Sequence, residues 1–222
     1  TRFLPQTKSM PKEMLPVVDK PVIQYVVEQL VEAGIKDIII VTGYHKRGIE
    51  DHFDAPNLDL IKNLEMGGEK KKHMLEEIES IGNLANFVYV RQKGPYGNGT
   101  PLLNVRHLIG DEPFIYTWSD EFILAKPNIY KQLINVYEKY DASCLGSIRA
   151  TKDDDYNRYA FASGKIIEDR VIDCDSIMEK PGKENSPSDL GNVSGFLFTP
   201  DIFKYLDESV KKMGQGAELY YN

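Results

Sequence analysis

The residues best suited to chemistry fall in three places along the 222-residue chain. Near the start, Lys8, Lys12 and Lys20 are interleaved with Pro5, Pro11, Pro16 and Pro21. The prolines favour an extended path with cations spaced along it, and a lysine beside a loop can bind a triphosphate as a point charge. A basic surface loop has the same composition. Farther on, Asp120 directly follows the apolar run Phe114-Ile115-Tyr116-Thr117-Trp118. Open α/β sheets place ligands at the C-terminal ends of strands. A carboxylate there suits Mg²⁺, a hard cation that takes oxygen ligands and phosphates, although it also suits a loop-capping Asp. The third place is Glu179-Lys180-Pro181, a triplet that is common on surfaces. His45, His52, His73 and His107 share no spacing and have no companion nucleophile, so satisfied or solvent-facing imidazoles are expected.

Elements with a clear pattern must hold these residues. Val22 to Val31 has apolar positions at helical spacing and ends at Ala33-Gly34, a helix-stop signal. Ile38-Ile39-Ile40-Val41 and Phe87-Val88-Tyr89-Val90 are unbroken apolar runs, which suit parallel strands buried on both faces. Between them, Leu58 to Glu79 reads as one charged, solvated helix supported by i,i+4 pairs. A glycine-rich loop, Gly94 to Gly99, precedes a helix from Pro101 to Ile109 with Pro in its first turn. Strands are expected at Phe114 to Trp118, Ala142 to Ala150 and Gly195 to Phe198, and helices at Asn128 to Tyr140 and from Pro200 to Lys211. Tyr159 to Ile177 reads as an antiparallel insertion around Gly164. Helices alternating with buried strands predict an α/β fold. The expected form is a three-layer, Rossmann-like mixed sheet, mostly parallel, with a small antiparallel part, in one domain over 1–222.

Charge and composition narrow the function. Lys+Arg total 27 against 34 Asp+Glu, a net charge of -7. That balance argues against a nucleic-acid partner, which selects for a basic stripe, but a few local cations can still hold a small anion. Cys144 and Cys174 lie in strand-like runs and are expected as reduced, buried thiols. No apolar run reaches membrane-spanning length, and a cytoplasmic protein without a membrane partner is the simplest fit. A homo-oligomer, dimer or tetramer, is expected. Apolar residues of Val22–Leu30 or of the C-terminal region are candidates for its interface.

The opening Thr1-Arg2-Phe3-Leu4-Pro5, followed by Pro11-Lys12-Glu13-Met14-Leu15-Pro16 and Lys20-Pro21, resembles the end of the G-x-G-T-R…P-K-E-M-L-P…K-P motif of nucleotide-sugar pyrophosphorylases. The resemblance extends in order through Gln92, Asp120 and Glu179-Lys180, and is nearest to the bacterial UTP–glucose-1-phosphate uridylyltransferase group. It implies the nucleotide-diphospho-sugar transferase fold and a role for each matching residue. Thr1, Arg2, Lys12 and Glu13 would bind the nucleotide, with Arg2 and Lys12 on its phosphates. Gln92 would read the pyrimidine edge, since an amide offers both donor and acceptor, and the backbone of Gly97 would approach the base. Asp120 would hold Mg²⁺. Glu179 would bond sugar hydroxyls and Lys180 would grip the sugar phosphate, with Ala160 and Val193 lining the sugar site. Arg2, Lys12, Asp120 and Lys180 are thus the expected catalytic set. Four positions depart from the family pattern: Ser119 before the Asp, Ala160 in place of Gly, and Thr100-Pro101 in place of His-Ala.

The reaction this implies is in-line attack by a sugar 1-phosphate oxygen on the α-phosphorus of UTP, releasing pyrophosphate. A dTTP-using thymidylyltransferase and a non-catalytic nucleotide-binding module remain alternatives. The Leu58–Glu79 insertion resembles the uridylyl group. Asp120 together with Lys180 speaks for catalysis. Relative to the family motif, the chain starts after the phosphate-cradling glycines and stops before the region that supplies a second metal-binding aspartate.

Overall fold

The computed structural model describes residues 3–214 and 217–220, which form two compact units. The first comprises residues 3–110, 119–124, 203–214 and 217–220. Its opening segment is less extended than its prolines suggest. Two short 3-10 turns, Gln6–Lys8 and Lys12–Met14, interrupt it. A small antiparallel pair follows, β1 (Pro16–Val17) with β2 (Lys20–Pro21).

Helix α1 (Val22–Glu32) buries Val22, Ile23, Val26, Val27 and Leu30. Positions three and four residues apart share one helical face, which is why this stretch faces the core. Its end is a Schellman motif. Gly34, at φ +103°, donates to Val31 O (2.9 Å), and Ile35 donates to Leu30 O (3.0 Å). Since this apolar face is buried inside the unit, it is not available as the dimer face anticipated from sequence.

Strand β3 (Asp37–Thr42) pairs in parallel with β4 (Asn86–Arg91), from Asp37↔Asn86 to Thr42↔Arg91. Both were expected to be buried on two faces. Instead only Ile38 and Thr42 of β3 are fully buried, and β4 is half-covered. The crossover carries α2 (Arg47–His52), α3 (Leu58–Glu65) and α4 (Glu69–Gly82). The single helix expected over Leu58–Glu79 is therefore two. Gly68 breaks it at φ +58°, ψ −152°, a conformation open to glycine alone. The second half is solvated as expected, with no buried residue. No ion pair joins its lysines to its glutamates among the described residues; the i,i+4 pairs found are Arg47–Asp51 and Arg158–Asp154. Helix α5 (Thr100–Ile109) starts with Pro101 in its first turn, as anticipated.

The second unit comprises residues 111–118 and 125–202. It contains β5 (Phe114–Tyr116), α6 (Ile129–Tyr140), β6 (Cys144–Arg149), β7 (Ala160–Glu168), β8 (Val171–Glu179) and β9 (Leu190–Phe198). The five strands form one sheet, and every pairing in it is antiparallel. β9 is its hub, pairing with β5, β6 and β7. Phe161, Ala162, Val193, Phe196, Leu197 and Phe198 are buried on it, with Tyr130 and Leu133 of α6. The Tyr130 hydroxyl is satisfied by Thr117 Oγ1 at 2.9 Å. Asn128 caps α6 by accepting from Lys131 N.

This sheet corrects the expectation of a mostly parallel fold: β3–β4 is the parallel pair, and the larger sheet is antiparallel. Apolar, β-branched runs signal burial. Strand direction depends instead on which long-range partner β9 accepts, and local pattern does not encode that. The cysteine expectation is also corrected. Both thiols are free, but Cys174 is exposed and Cys144 half-buried, because the hairpin of β7 and β8 leaves most of β8 in solvent.

The chain then returns to the first unit as α7 (Ile202–Lys212), which buries Phe203 and Leu206. Arg106 of α5 bonds Asp207 of α7 at 2.8 Å and lies over the Phe203 ring.

Candidate functional site

In the first unit the turn Lys12–Met14 is the centre of the arrangement. It follows Pro11, whose ψ of 140° keeps the chain extended up to the turn, and it ends at Leu15, whose carbonyl accepts from Val22 N at the start of α1. Lys12 Nζ reaches Asp120 Oδ2 at 2.5 Å, joining two of the predicted residues across 108 positions of sequence. The loop carrying Asp120 is fastened to α1 twice. Phe122 stacks on Tyr25 with ring centroids 4.7 Å apart, and Gln29 donates to Ile123 O at 2.9 Å. Asp120 is about one-quarter exposed and Lys12 about one-third, so both remain open to a ligand.

Glu13 turns the other way. Its side chain is 3% exposed and accepts from Lys46 Nζ at 2.6 Å, while its second oxygen, Oε2, is buried without a partner among the described residues. Lys46 is the residue immediately before α2, a few residues beyond β3, and its side chain goes to Glu13 rather than to the helix. The sequence reading missed it. The rule that singled out Asp120, a charged group beyond the C-terminal end of a buried strand, applies equally to Lys46. Of the other early cations, Lys20 is held by Glu28 at 2.9 Å, a bond that raises its pKa, and Lys8 is exposed.

Gln92 is exposed just past β4, and its N–H donates to Thr42 O at 2.9 Å. Gly97 sits in the loop that follows, at φ +120°. A β-carbon there would lie 2.0 Å from Leu219 O. Leu219 is buried, donates to Tyr96 O at 2.8 Å and accepts from Gly99 N at 3.0 Å. Close packing against the 217–220 segment thus requires glycine at position 97. Thr1 and Arg2 lie outside the described residues.

The second unit holds the remaining predicted residues. Ala160 opens β7 directly opposite Glu179, the last residue of β8. Lys180 follows in a left-handed conformation, φ +43°, with its N–H on Tyr159 O at 3.1 Å. Its ammonium lies 3.1 Å from Glu179, and both side chains are more than half exposed. The turn after it is closed by Gly182 N on Tyr156 O and by Lys183 on Asp153 at 2.7 Å. Val193 is buried in β9, and the neighbouring Asn192 Oδ1 is buried without a partner among the described residues.

Of the histidines, His52 is half-buried and bonded to Gln24 Oε1 at 3.0 Å. Burial lowers its pKa. It is thus a satisfied imidazole, as expected.

The donor set bears on which metal this unit could hold. No three His, Cys, Asp or Glu groups converge among the described residues, so these residues form no all-protein cage. Mg²⁺ needs none, because it keeps waters and binds through one or two carboxylates plus substrate phosphates. Asp120, a half-open oxygen donor beside a lysine, fits that mode.

Comparison with known proteins bears on the whole chain. It is 45% identical over 220 residues to a UTP–glucose-1-phosphate uridylyltransferase of Bacillus subtilis (strain 168), covering 99% of this chain and 73% of that one. It is 42% identical over 221 residues to UTP–glucose-1-phosphate uridylyltransferase 1 of Staphylococcus saprophyticus, covering 99% and 74%. Among solved structures, a UDP-glucose pyrophosphorylase complexed with UDP-glucose superposes with a TM-score of 0.83 at 37% identity, covering 99% of this chain and 79% of that one. The family described as nucleotidyl transferase matches residues 1–221. That match runs through both units, and the chain belongs to the nucleotidyl transferase family.

Proposed function

We propose that the chain converts UTP and a sugar 1-phosphate, glucose 1-phosphate in the first instance, to UDP-sugar and pyrophosphate. The observation that carries this reading is the Lys12–Asp120 pair, set in a chain whose relatives of 42–45% identity are UTP–glucose-1-phosphate uridylyltransferases. A lysine and a carboxylate that neutralise each other are the two groups a metal–triphosphate engages separately, the cation on phosphate and the carboxylate on metal.

The nucleophile is already an anion, so the reaction needs alignment and charge neutralisation rather than a strong base. Asp120 would hold Mg²⁺. When bound, Mg²⁺ supplies positive charge to the phosphate oxygens. Lys12 leaves Asp120 for the triphosphate and steadies the departing pyrophosphate together with Arg2. Thr1 completes the nucleotide set; Glu13, expected in it from the motif, is instead turned inward onto Lys46 and supports the turn from behind. Gln92 gives the base a donor and an acceptor, beside the Gly97 backbone. Lys180 binds the attacking phosphate and offsets its repulsion from UTP. Glu179 accepts from sugar hydroxyls, with Ala160 and Val193 as apolar lining. The reading also carries the cytoplasmic setting, a homo-oligomer, and the treatment of 1–222 as one catalytic domain. No helix among the described residues is long and apolar enough to cross a membrane.

The test is pyrophosphate release across UTP, dTTP, CTP, ATP and GTP with several sugar 1-phosphates, with and without Mg²⁺. UTP with glucose 1-phosphate should give the highest metal-dependent rate. A preference for dTTP, or turnover unaffected by chelator, would overturn the reading.

A further inference from the structure

Lys46 has no role in the motif-based reading, yet it alone among the described residues forms an ion pair with a buried carboxylate next to Lys12. We propose that Lys46 is a positioning residue for Lys12, acting through Glu13. The inference rests on the reading of Lys12 as a phosphate-binding group.

The argument begins with the turn. Lys12–Met14 is a single 3-10 turn held by Met14 N on Pro11 O (2.9 Å) and Leu15 N on Lys12 O (3.1 Å). So short a turn has no continuing hydrogen-bond ladder to fix its rotation. Its side chains must fix it, and they do so in opposite directions. Glu13 goes inward to Lys46, and Lys12 goes to Asp120. The inward anchor is the firmer of the two. A carboxylate removed from water requires a partner. One oxygen has Lys46 and the other has none among the described residues. Lys46 is itself placed by the start of α2: its carbonyl accepts from Ile49 N at 3.0 Å, and Ile49 is fully buried. Helix α2 therefore sets Lys46, Lys46 sets Glu13, and Glu13 sets the rotation of the turn that aims Lys12. The Lys12–Asp120 bond cannot do this alone, because nucleotide binding has to open it.

The experiment is a double-mutant cycle read as kcat/KM for UTP, with thermal unfolding followed in parallel. Lys46→Met should lower kcat/KM on the order of a hundredfold, as small misplacements of a catalytic group do. Lys46→Arg should restore most of the loss. In a Lys12→Met background the same Lys46→Met change should cost less than about threefold, since residues acting through one another are not additive. Should Lys46→Met fold poorly, Glu13→Gln/Lys46→Met removes both charges. It should regain thermal stability while kcat/KM stays low. Equal losses in both backgrounds, or wild-type kcat/KM in that double variant, would overturn the proposal while leaving the function of Lys12 intact. If Lys12→Met itself catalyses like wild type, the assignment of Lys12 fails, and the proposal fails with it.

Discussion

In the first unit the charged groups around the turn Lys12–Met14 are already engaged with each other: Lys12 with Asp120, Glu13 with Lys46. In the second, Glu179 and Lys180 stand more than half exposed at the end of a strand, their mutual contact screened by water. The first arrangement is pre-organised and must exchange partners when substrate arrives. The second is solvated and acquires its strong interactions only then. Changes in the first unit should therefore appear in turnover, and changes in the second in the apparent affinity for one substrate.

The largest expected effect tests the first half of this contrast. Asp120→Asn should lower turnover about a hundredfold or more, since one lost electrostatic stabiliser costs roughly 3 kcal/mol. The unfolding temperature should hold, because the Lys12 left behind keeps access to water. Near-normal turnover would mean that the engaged pair is structural, and the contrast would collapse.

A smaller effect is expected from Lys180→Ala. It should raise KM for glucose 1-phosphate about tenfold, the scale of one lost charged hydrogen bond, and leave KM for UTP within about twofold. A selective rise in KM for UTP instead would place Lys180 with the nucleotide and erase the division between the units.

The smallest effect separates the units by pH. Burial holds the pKa of His52 below its ordinary 6.5. As pH falls below that value, the unfolded chain takes up the proton before the folded one does. The folded state thus loses stability as pH drops from 6.5 toward the lower folded-state pKa, and is unaffected above it. His52→Gln should remove this slope in a series of unfolding temperatures taken at falling pH below 6.5. Amide hydrogen exchange should show acid loosening in α1 and α2 but not in β7–β9. An unchanged slope in the variant would assign the acid sensitivity to another group.

What could be read from sequence followed from how local each signal was. The Val22, Val26 and Leu30 spacing and Gly34 specify α1 and its end within a few residues, because periodicity and a Schellman glycine are local physics. Asn128 and Pro101 marked helix starts for the same reason. Gly67-Gly68 also carried a signal, and the charge pattern around it obscured the break. The β7–β8 hairpin was legible as an antiparallel insertion around Gly164, but the rest of the sheet was not, since Phe161↔Gly191 and Ile115↔Leu197 are pairings across long stretches of chain. At the site, residue types suggested Asp120 and the early lysines. Only the fold shows that Lys12, rather than Lys8 or Lys20, meets Asp120, and that Glu13 is buried on Lys46.

Gly97 has a bearing on how this family's sequences are interpreted. The backbone of Leu219 occupies the space where a side chain at position 97 would begin, whatever nucleotide the protein binds. A glycine retained there in a relative is therefore no record of shared base preference, since selection for the join between the loop and the 217–220 segment would preserve it alone. A relative bearing a side chain at this position must have moved its 217–220 equivalent elsewhere. In an alignment, a side chain at 97 should therefore go with insertions, deletions or a changed path around the 217–220 equivalent.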